Sequence, residues 1–207
     1  MDLTSITDNG RSGRGILFVI SSVSGGGKTT VIKHLLDEIP NLRLSVSHTT
    51  REPRKGERDG VDYHFVSEEK FEDMVKKGQF LEWARVYGYR YGTSLGEMKN
   101  LVSQKKDLVL DIDVQGGLQV REKRPDAVLV FLLLPGEAEQ KKRLEERGTE
   151  APKHLRKRLE AARRELATVS EYDYAVLNDE LGTSVATVKS IILSERCRVS
   201  RSAGSDH

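Results

Sequence analysis

The chain has 207 residues and a mass of 23.2 kDa, with 37% hydrophobic and 32% charged residues. This composition is typical of one globular unit with a sizeable core, and it excludes an intrinsically disordered chain. The 34 lysine and arginine residues nearly balance the 32 acidic ones, so the formal net charge of +2 gives no general electrostatic reason to bind nucleic acid or a membrane.

The single cysteine and the chain ends bear on where the protein works. Cys197 cannot form an intramolecular disulfide, which favours a reducing, cytoplasmic setting. Residues 1-15 are polar and lack the apolar segment of a signal peptide, so we expect a flexible leader there and a flexible tail over 195-207. The apolar runs are too short to cross a bilayer, and we expect neither membrane nor nucleic acid as a partner.

The first predicted elements are a strand, a loop and a helix. GILFVISS (15-22) is an apolar run typical of a strand buried in a parallel sheet. SSVSGGGKTT (21-30, the glycine loop) follows, and then a helix with Ile32, Leu36 and Ile39 on one face. The loop matches the phosphate-binding pattern G-x-x-x-x-G-K-[ST], with Ser22 in place of the first glycine. Because serine is small, we expect this departure to be tolerated.

The residues of the glycine loop have the chemistry of a nucleotide site. Successive backbone N–H groups of such a loop bind phosphate oxygens, and the following helix adds the positive end of its dipole. Lys28 would neutralise the β- and γ-phosphates, and Thr29 would offer its hydroxyl to Mg²⁺. The sequence therefore predicts nucleotide binding with Mg²⁺ as cofactor.

The segment 46-94 has a different pattern from the rest of the chain. Short strand-like pieces are interrupted by REPRKGERDG, and a helix is predicted from Glu68 to Lys77 behind the N-cap Ser67. A further helix is predicted to begin with a capping box formed by Ser94 and Glu97. These features indicate an inserted, partly antiparallel subdomain.

Three later segments are predicted as buried strands: DLVLDID (107-113), AVLVFLLL (127-134) and DYAVLND (173-179). Asp111 and Asp113 alternate with apolar residues, so we expect both carboxylates on one side at the carboxyl end of their strand, where open α/β sheets bind ligands. The predicted fold is α/β: a P-loop core with a mostly parallel sheet flanked by helices, and a small mixed subdomain.

The basic residues between 45 and 65 have two readings. Arg51 and Arg54 could grip a phosphate bidentately as a second anion site, or the segment could be an exposed charged turn. The residues alone leave both open. A D-x-x-G match at 113-116 is weak evidence for a GTPase, and no N-K-x-D guanine signature accompanies it.

Seven motifs in order carry a family resemblance. S-x-S-x-T-T-R-x-P-R-x-G-E-x-x-G-x-D-Y-x-F is followed by E-W-A, Y-G-T, L-D-I-D-x-Q-G, R-L-x-x-R-G and N-D, with the glycine loop before them. From about residue 16 to 194 the chain resembles guanylate kinase, the ATP-dependent GMP phosphotransferase. The resemblance implies a core of residues 16-45 and 95-194, with a helical lid at about 137-159 within it, and a GMP-binding subdomain of residues 46-94.

The resemblance also implies the roles of individual residues. It assigns to ATP Ser24, Gly25, Gly26, Gly27, Lys28, Thr29, Thr30 and Asn178. It assigns to GMP Ser47, Arg51, Arg54, Glu57, Tyr63, Glu82, Tyr91, Thr93, Asp111 and Asp113. The catalytic residues it implies are Lys28, Arg51, Arg147 and Arg158, and the residues it places near Mg²⁺, through water, are Thr29 and Asp111. Guanine fits this set because its N1–H and N2–H donors suit a carboxylate such as that of Glu82.

The alternative function is a catalytically inactive guanylate-kinase-like interaction module. Such modules lack a complete phosphate loop, and Ser22 is the one departure that favours them. The partners expected for the enzyme are ATP and GMP, and the chain is expected to be a monomer or a homo-oligomer.

Overall fold

The computed structural model of the chain describes residues 15-146 and 152-198. The predicted leader up to residue 14, the tail beyond 198 and the predicted lid residue Arg147 lie outside the described residues. The strands are Leu17–Ser22 (β1), Leu42–Leu44 (β2), His48–Thr49 (β3), His64–Phe65 (β4), Phe80–Val86 (β5), Tyr89–Ser94 (β6), Asp107–Asp111 (β7), Val128–Leu133 (β8) and Tyr174–Leu177 (β9). The helices are Lys28–Glu38 (α1), Glu68–Lys76 (α2), Leu95–Ser103 (α3), Val114–Lys123 (α4), Glu137–Glu146 (α5), Pro152–Leu166 (α6) and Leu181–Arg196 (α7), with a 3-10 turn at Val169–Glu171.

The larger sheet is parallel throughout, in the order β2-β7-β1-β8-β9. Strand β1 lies at its centre, and all six of its residues are buried. Because side chains alternate along a strand, Leu17 and Val19 pack on one face while Phe18 and Ile20 pack on the other. Helices α1 and α7 cover the second face, whereas α3 and α4 cover the first. This three-layer arrangement confirms the predicted α/β fold class.

The smaller sheet has the order β4-β3-β6-β5 and is mixed, since β3 and β4 are parallel and the other pairs antiparallel. Helix α2 closes it with a small core of its own, in which Phe71 stacks on Phe80 and Met74 packs beside them. The predicted mixed subdomain is therefore present, and its two long strands lead into the cleft described below.

Two details of the predicted helices differ from the structure. On α1 the fully buried residue is Leu35 and Leu36 is only partly buried, because Val31, Ile32 and Leu35 form the inner face. At α3, Ser94 accepts from the N–H of Gly96, but Glu97 accepts from the N–H of Val46 instead of completing a capping box. Glu97 thereby joins α3 to the chain entering the smaller sheet.

The flexible tail predicted for residues 195-207 includes residues that are helical in the structure. Helix α7 runs to Arg196, and Glu195 is buried with its carboxylate accepting from the Tyr174 hydroxyl at 2.6 Å. Arg196 donates to the buried Asp107 carboxylate at 2.7 Å. The predicted boundary at 195 therefore falls inside a packed helical turn.

None of the helices within 15-146 and 152-198 combines the length and apolar character needed to cross a bilayer.

Candidate active site

The glycine loop turns sharply from β1 into α1. Gly25 and Gly27 have φ values of 86° and 76°, which side-chain-bearing residues rarely adopt, and Gly27 is the N-cap of α1. Ser22 is the last residue of β1, paired with Leu132, so its backbone is extended and needs no glycine. A Cβ at Gly26 would lie 2.6 Å from the Cβ of Ser22. The missing glycine is thus tolerated because Ser22 occupies space that Gly26 leaves open.

Lys28, Thr29 and Asp111 meet where β7 ends beside the glycine loop. The Lys28 ammonium lies 3.0 Å from one Asp111 oxygen and donates to the Ile112 carbonyl at 2.6 Å. The Thr29 hydroxyl donates to the other Asp111 oxygen at 3.0 Å. The sequence predicted these three residues for phosphate and metal binding, and the structure brings them together.

Asp113 does not share the position predicted for it. Strand β7 ends at Asp111, and Asp113 is the N-cap of α4, where its carboxylate accepts from the Gly116 N–H at 2.9 Å. The expectation that both carboxylates stand on one strand is therefore wrong. Asp113 still lines the same cleft, because the helix it caps begins at the carboxyl edge of the sheet.

Arg51 is the centre of a cluster on the smaller sheet. It is 8% exposed, and it donates to Glu57 at 2.9 Å and to the Tyr91 hydroxyl at 3.3 Å. Its guanidinium carbon lies 5.5 Å from the centre of the Tyr63 ring. The hydrogen bond to Glu57 is the main reason that the pKa of Arg51 rises above its usual range, and the same bond lowers the pKa of Glu57.

The predicted phosphate residues around Arg51 share its cavity. Burial raises the pKa of Tyr63 to about 12, with the nearby Asp111 charge adding to the effect, so its phenol stays a donor at neutral pH. Arg54 is exposed at the rim, and its N–H donates to Glu57 at 2.7 Å. Of the two readings of the basic segment, the built cluster favours an anion site over an exposed turn.

Glu82 is a buried carboxyl group on β5. It is 3% exposed, and one oxygen accepts from both the backbone N–H of Thr93 at 2.9 Å and its hydroxyl at 2.7 Å. Burial is the main cause that raises the pKa of Glu82 to about 7, opposed by the Thr93 hydroxyl and supported by the charge of Asp113. Thr93 is fully buried behind Glu82, so the structure gives it a role in orienting that carboxyl group.

The remaining predicted residues lie in three places. Ser47 lines the cavity near Glu82 and Arg51. Asn178 is buried behind the glycine loop and donates to the Gly26 carbonyl at 2.6 Å, while Thr30 is exposed on the first turn of α1.

Arg158 lies on α6 with its guanidinium over the Tyr87 ring. Arg147 lies outside the described residues.

A single cavity of about 480 Å³ joins the glycine loop to the Arg51 cluster and Glu82. Its walls come from the carboxyl edge of the larger sheet on one side and from β5, β6 and the segment after β3 on the other. The cavity is therefore lined by cations from both sides, with Lys28 from the glycine loop and Arg51 from the smaller sheet.

Three residues of the cleft were missed by the sequence reasoning. Glu165 on α6 accepts from the Ser24 N–H at 3.3 Å, and Gln140 on α5 donates to the Ser24 carbonyl at 2.8 Å. Tyr87, at the tip of the β5–β6 hairpin, donates to the Ser24 hydroxyl. Glu165 and Gln140 lie in charged helical segments whose sequence predicts a solvent-exposed face. Only the folded structure shows that these two side chains contact the glycine loop.

Comparison with known proteins agrees with this geometry. A family model described as guanylate kinase matches residues 14-195. The guanylate kinase of Syntrophotalea carbinolica is 48% identical over 187 residues, or 90% of this chain and 89% of that relative. The guanylate kinase of Desulfitobacterium hafniense is 45% identical over 187 residues, or 90% of this chain and 94% of that relative.

The solved structures agree as well. The crystal structure of guanylate kinase from Anaplasma phagocytophilum matches with a TM-score of 0.77 at 30% identity, covering 92% of this chain and 90% of that one. The resemblance predicted from the ordered motifs is thereby confirmed. The chain belongs to the guanylate kinase family.

Proposed function

We propose that this protein transfers the γ-phosphoryl group of ATP to the 5′-phosphate of GMP, giving ADP and GDP. The observation that carries the proposal is the shared cavity, which has a glycine loop with Lys28 at one end and the buried Arg51 cluster with Glu82 at the other. Two polyanions bound at these ends would face each other with their phosphates in the middle.

The donor end suits the triphosphate of ATP. The N–H groups of the glycine loop and the first turn of α1 provide oriented donors, and Lys28 provides a cation. Lys28 is at present paired with Asp111, so phosphate binding would exchange one anionic partner for another. Lys28 has therefore already lost part of its hydration in the free protein, which lowers the further desolvation cost of binding a phosphate.

The acceptor end suits a nucleoside monophosphate. Arg51, Arg54, Tyr63 and Tyr91 together offer guanidinium and phenol donors around one point of the cavity. Glu57 holds the Arg51 fork in place through a 2.9 Å contact, which preorganises the guanidinium to bind two oxygens of a phosphate.

Glu82 provides the guanine preference. Thr93 occupies one of its carboxylate oxygens, and the other lies beside Gly116, where a Cβ would meet it at 2.5 Å. An ionised Glu82 accepts hydrogen bonds from N1–H and N2–H of guanine, whereas adenine offers an unprotonated N1 there. Ser47, which lines the same cavity, would serve the O6 side of the base.

The residues beside Lys28 fit Mg²⁺. Mg²⁺ in phosphotransferases is held by one or two protein oxygens, water and substrate phosphates, and the Thr29 hydroxyl and Asp111 carboxylate are such oxygens, 3.0 Å apart. Within the described residues no group of three or more His, Cys, Asp or Glu side chains that could hold a metal ion is assembled. When bound, the ion would neutralise charge on the transferred group.

Catalysis then depends on position and charge more than on proton transfer. The acceptor phosphate is already an anionic nucleophile, so no general base is required. Lys28 and Arg51 hold donor and acceptor oxygens, and the lid arginines Arg147 and Arg158 would stabilise the charge that develops between them. Closure of the lid and the smaller sheet would exclude water and limit wasteful ATP hydrolysis.

The inactive interaction module is the weaker candidate, because Ser22, the departure that favoured it, sits in an extended position that requires no glycine. The single cysteine and the bacterial relatives are consistent with a cytoplasmic enzyme.

ADP release in the presence of ATP and Mg²⁺ tests the proposal, with GMP, AMP, CMP and UMP compared as acceptors. We expect turnover with GMP alone. Lys28→Ala should lower kcat by at least about 100-fold, since it removes a cation aimed at the transferred phosphate. Lys33→Ala, an exposed lysine on the same helix, serves as the matched control and should leave kcat unchanged.

A folded wild-type protein without GMP-dependent ADP release would overturn the proposal in favour of the interaction module. GTP hydrolysis without any acceptor would instead indicate a GTPase.

A further inference from the structure

The turn between β5 and β6 contains an unusual residue. Val86 pairs with Tyr89, so Tyr87 and Gly88 form a two-residue hairpin turn, and both have positive φ, 50° and 94°. Such turns favour Asn-Gly, because asparagine tolerates positive φ and a bulky aromatic residue does not. Tyrosine is therefore a poor choice for the turn itself, and its presence calls for a compensating contact.

The Tyr87 side chain makes contacts across the cleft. Although it is 59% exposed, its hydroxyl donates to the Ser24 hydroxyl in the glycine loop at 3.1 Å. The guanidinium carbon of Arg158 on α6 lies 4.7 Å from the centre of its ring, within cation–π range. One side chain at the hairpin tip thus touches both the donor end of the cleft and α6.

Ser24 is held by other elements as well. Its N–H donates to Glu165 on α6 at 3.3 Å, and its carbonyl accepts from the buried Gln140 on α5 at 2.8 Å. Its hydroxyl is the group that Tyr87 contacts. The backbone of Ser24 is therefore held by α5 and α6, while its side chain contacts the β5–β6 hairpin.

The same hairpin carries residues of the acceptor end. Glu82 lies on β5 and Tyr91 on β6, and the turn joins these two strands. Because a two-stranded hairpin moves as a unit, a shift of its tip relative to Ser24 shifts Glu82 and Tyr91 relative to the glycine loop.

We propose that Tyr87 is a positioning residue for phosphoryl transfer: through Ser24 and Arg158 it sets the distance between the acceptor-bearing hairpin and the donor-binding loop. The inference rests on the proposed function, since it assigns Tyr87 a role in that reaction. The inference assigns Tyr87 a role through Ser24 and Arg158 and none in the chemical step itself.

The test separates the turn from the contact. Tyr87→Phe removes only the hydroxyl and should lower kcat about 3- to 10-fold, the range of one lost hydrogen bond, with the melting temperature unchanged. Tyr87→Asn suits the turn better, so it should keep or raise the melting temperature while lowering kcat further through loss of the ring over Arg158. Tyr89→Phe, an exposed tyrosine of the same hairpin, should retain wild-type kcat.

A double-variant cycle identifies the partner. Ser24→Ala removes the hydroxyl that Tyr87 contacts, so Tyr87→Phe combined with Ser24→Ala should have the kcat of the poorer single variant. If the double variant instead lowers kcat by the product of the two single factors, Tyr87 does not act through Ser24, and the proposal is overturned.

Other outcomes bear separately on the two proposals. Wild-type kcat in Tyr87→Phe, or in Tyr87→Asn, would reduce Tyr87 to a turn residue and overturn the inference while leaving the kinase assignment intact. A wild-type protein inactive with GMP would overturn the kinase assignment itself, whatever the variants do.

Discussion

Glu82 carries a carboxyl group in a place where its charge is costly. It is 3% exposed, and burial raises its pKa to about 7 despite two hydrogen bonds from Thr93 that favour the ionised form. A guanine N1–H and N2–H edge would supply the donors that ionised Glu82 otherwise lacks. The free protein therefore keeps this group close to the point of losing its proton, and binding of the base should complete the loss.

From this we predict that kcat/KM for GMP falls as the pH drops below about 7, approaching tenfold per pH unit, because a protonated Glu82 carries a hydrogen on one oxygen and can no longer accept from both N1–H and N2–H of guanine. The profile is measured for the wild-type protein and for Glu82→Gln. The phosphate of GMP also titrates, near pH 6 by analogy with other phosphate monoesters, but it does so in both proteins. An identical pH profile in Glu82→Gln would contradict the prediction.

Ser22 and Gly26 form a matched pair at the start of the glycine loop. Ser22→Gly removes a small side chain from an extended residue, so we predict less than about a twofold change in ATP affinity. Gly26→Ala places a Cβ 2.6 Å from that of Ser22 and 2.9 Å from the Val23 carbonyl oxygen, and ATP affinity should fall at least about tenfold because the loop must move. Titration calorimetry with a non-hydrolysable ATP analogue measures both. If both variants change ATP affinity equally, the loop can shift at Gly26 without loss of binding, which would contradict the prediction.

Among individual residues, the sequence predicted those of the glycine loop well, whereas residue patterns alone did not predict the role of Glu82 in binding guanine. The loop depends on neighbours in the chain, and its strand–loop–helix context is visible in the residues themselves. Glu82 reads as a solvent-facing strand residue, and only the ordered family motifs identified it. Its burial comes from Gly116, which follows β7 and is remote in the chain. Glu165 and Gln140 carry no local signal, since their role arises where two helices reach the glycine loop.

Among the elements, α7 has the most underestimated role. Its last turn returns to the amino-terminal edge of the larger sheet, where Arg196 bonds the Asp107 carboxylate and the Pro40 carbonyl. Asp107 is 1% exposed and also accepts from the Ile16 N–H at 2.9 Å. The helix thereby ties together the entrances to β1 and β7.

Removing the Arg196 guanidinium should therefore destabilise the fold. We predict that Arg196→Met lowers the free energy of unfolding by about 3 kcal/mol, because a buried carboxylate loses its cationic partner. Arg58→Met, in which an exposed arginine of the smaller subdomain is changed, is the matched control and should cost less than about 0.5 kcal/mol. Urea denaturation gives both values. Equal stabilities would show that water replaces the guanidinium at Asp107.

Apolar runs and periodicity predicted most strands and helices of the larger sheet, but they did not predict where several of these elements begin or end. The alternation of Asp111 and Asp113 with apolar residues continues past the end of β7, so periodicity could not show that Asp113 leaves the sheet to cap α4. Likewise, Glu97 completes a capping-box pattern but bonds Val46. In each case a polar side chain has two possible partners, and tertiary packing decides between them.

For the molecule as a whole, the pH dependence of stability combines two opposed groups in the smaller sheet. Burial lowers the pKa of His48 to about 4, helped by His64, whose ring centre lies 4.6 Å away, and burial raises the pKa of Glu82 to about 7. The stability that His48 contributes is present above its ordinary pKa of 6.5 and is lost as the pH falls through about 4. The stability that Glu82 contributes is present below its ordinary pKa of 4.5 and is lost as the pH rises through about 7.

Between these limits the unfolded chain binds the extra proton at His48 and the folded protein binds it at Glu82, so the two slopes oppose each other. We predict that Glu82→Gln makes the unfolding free energy rise more steeply with pH than in the wild type, and that His48→Gln makes it rise less steeply or fall. Each difference in slope is bounded by about 1.4 kcal/mol per pH unit, the value for one proton. Urea melts at several pH values measure the slopes, and exposed carboxylates affect all three proteins alike. Parallel profiles would mean that neither group changes its protonation on folding, which would contradict their burial as the cause of the shifted pKa values.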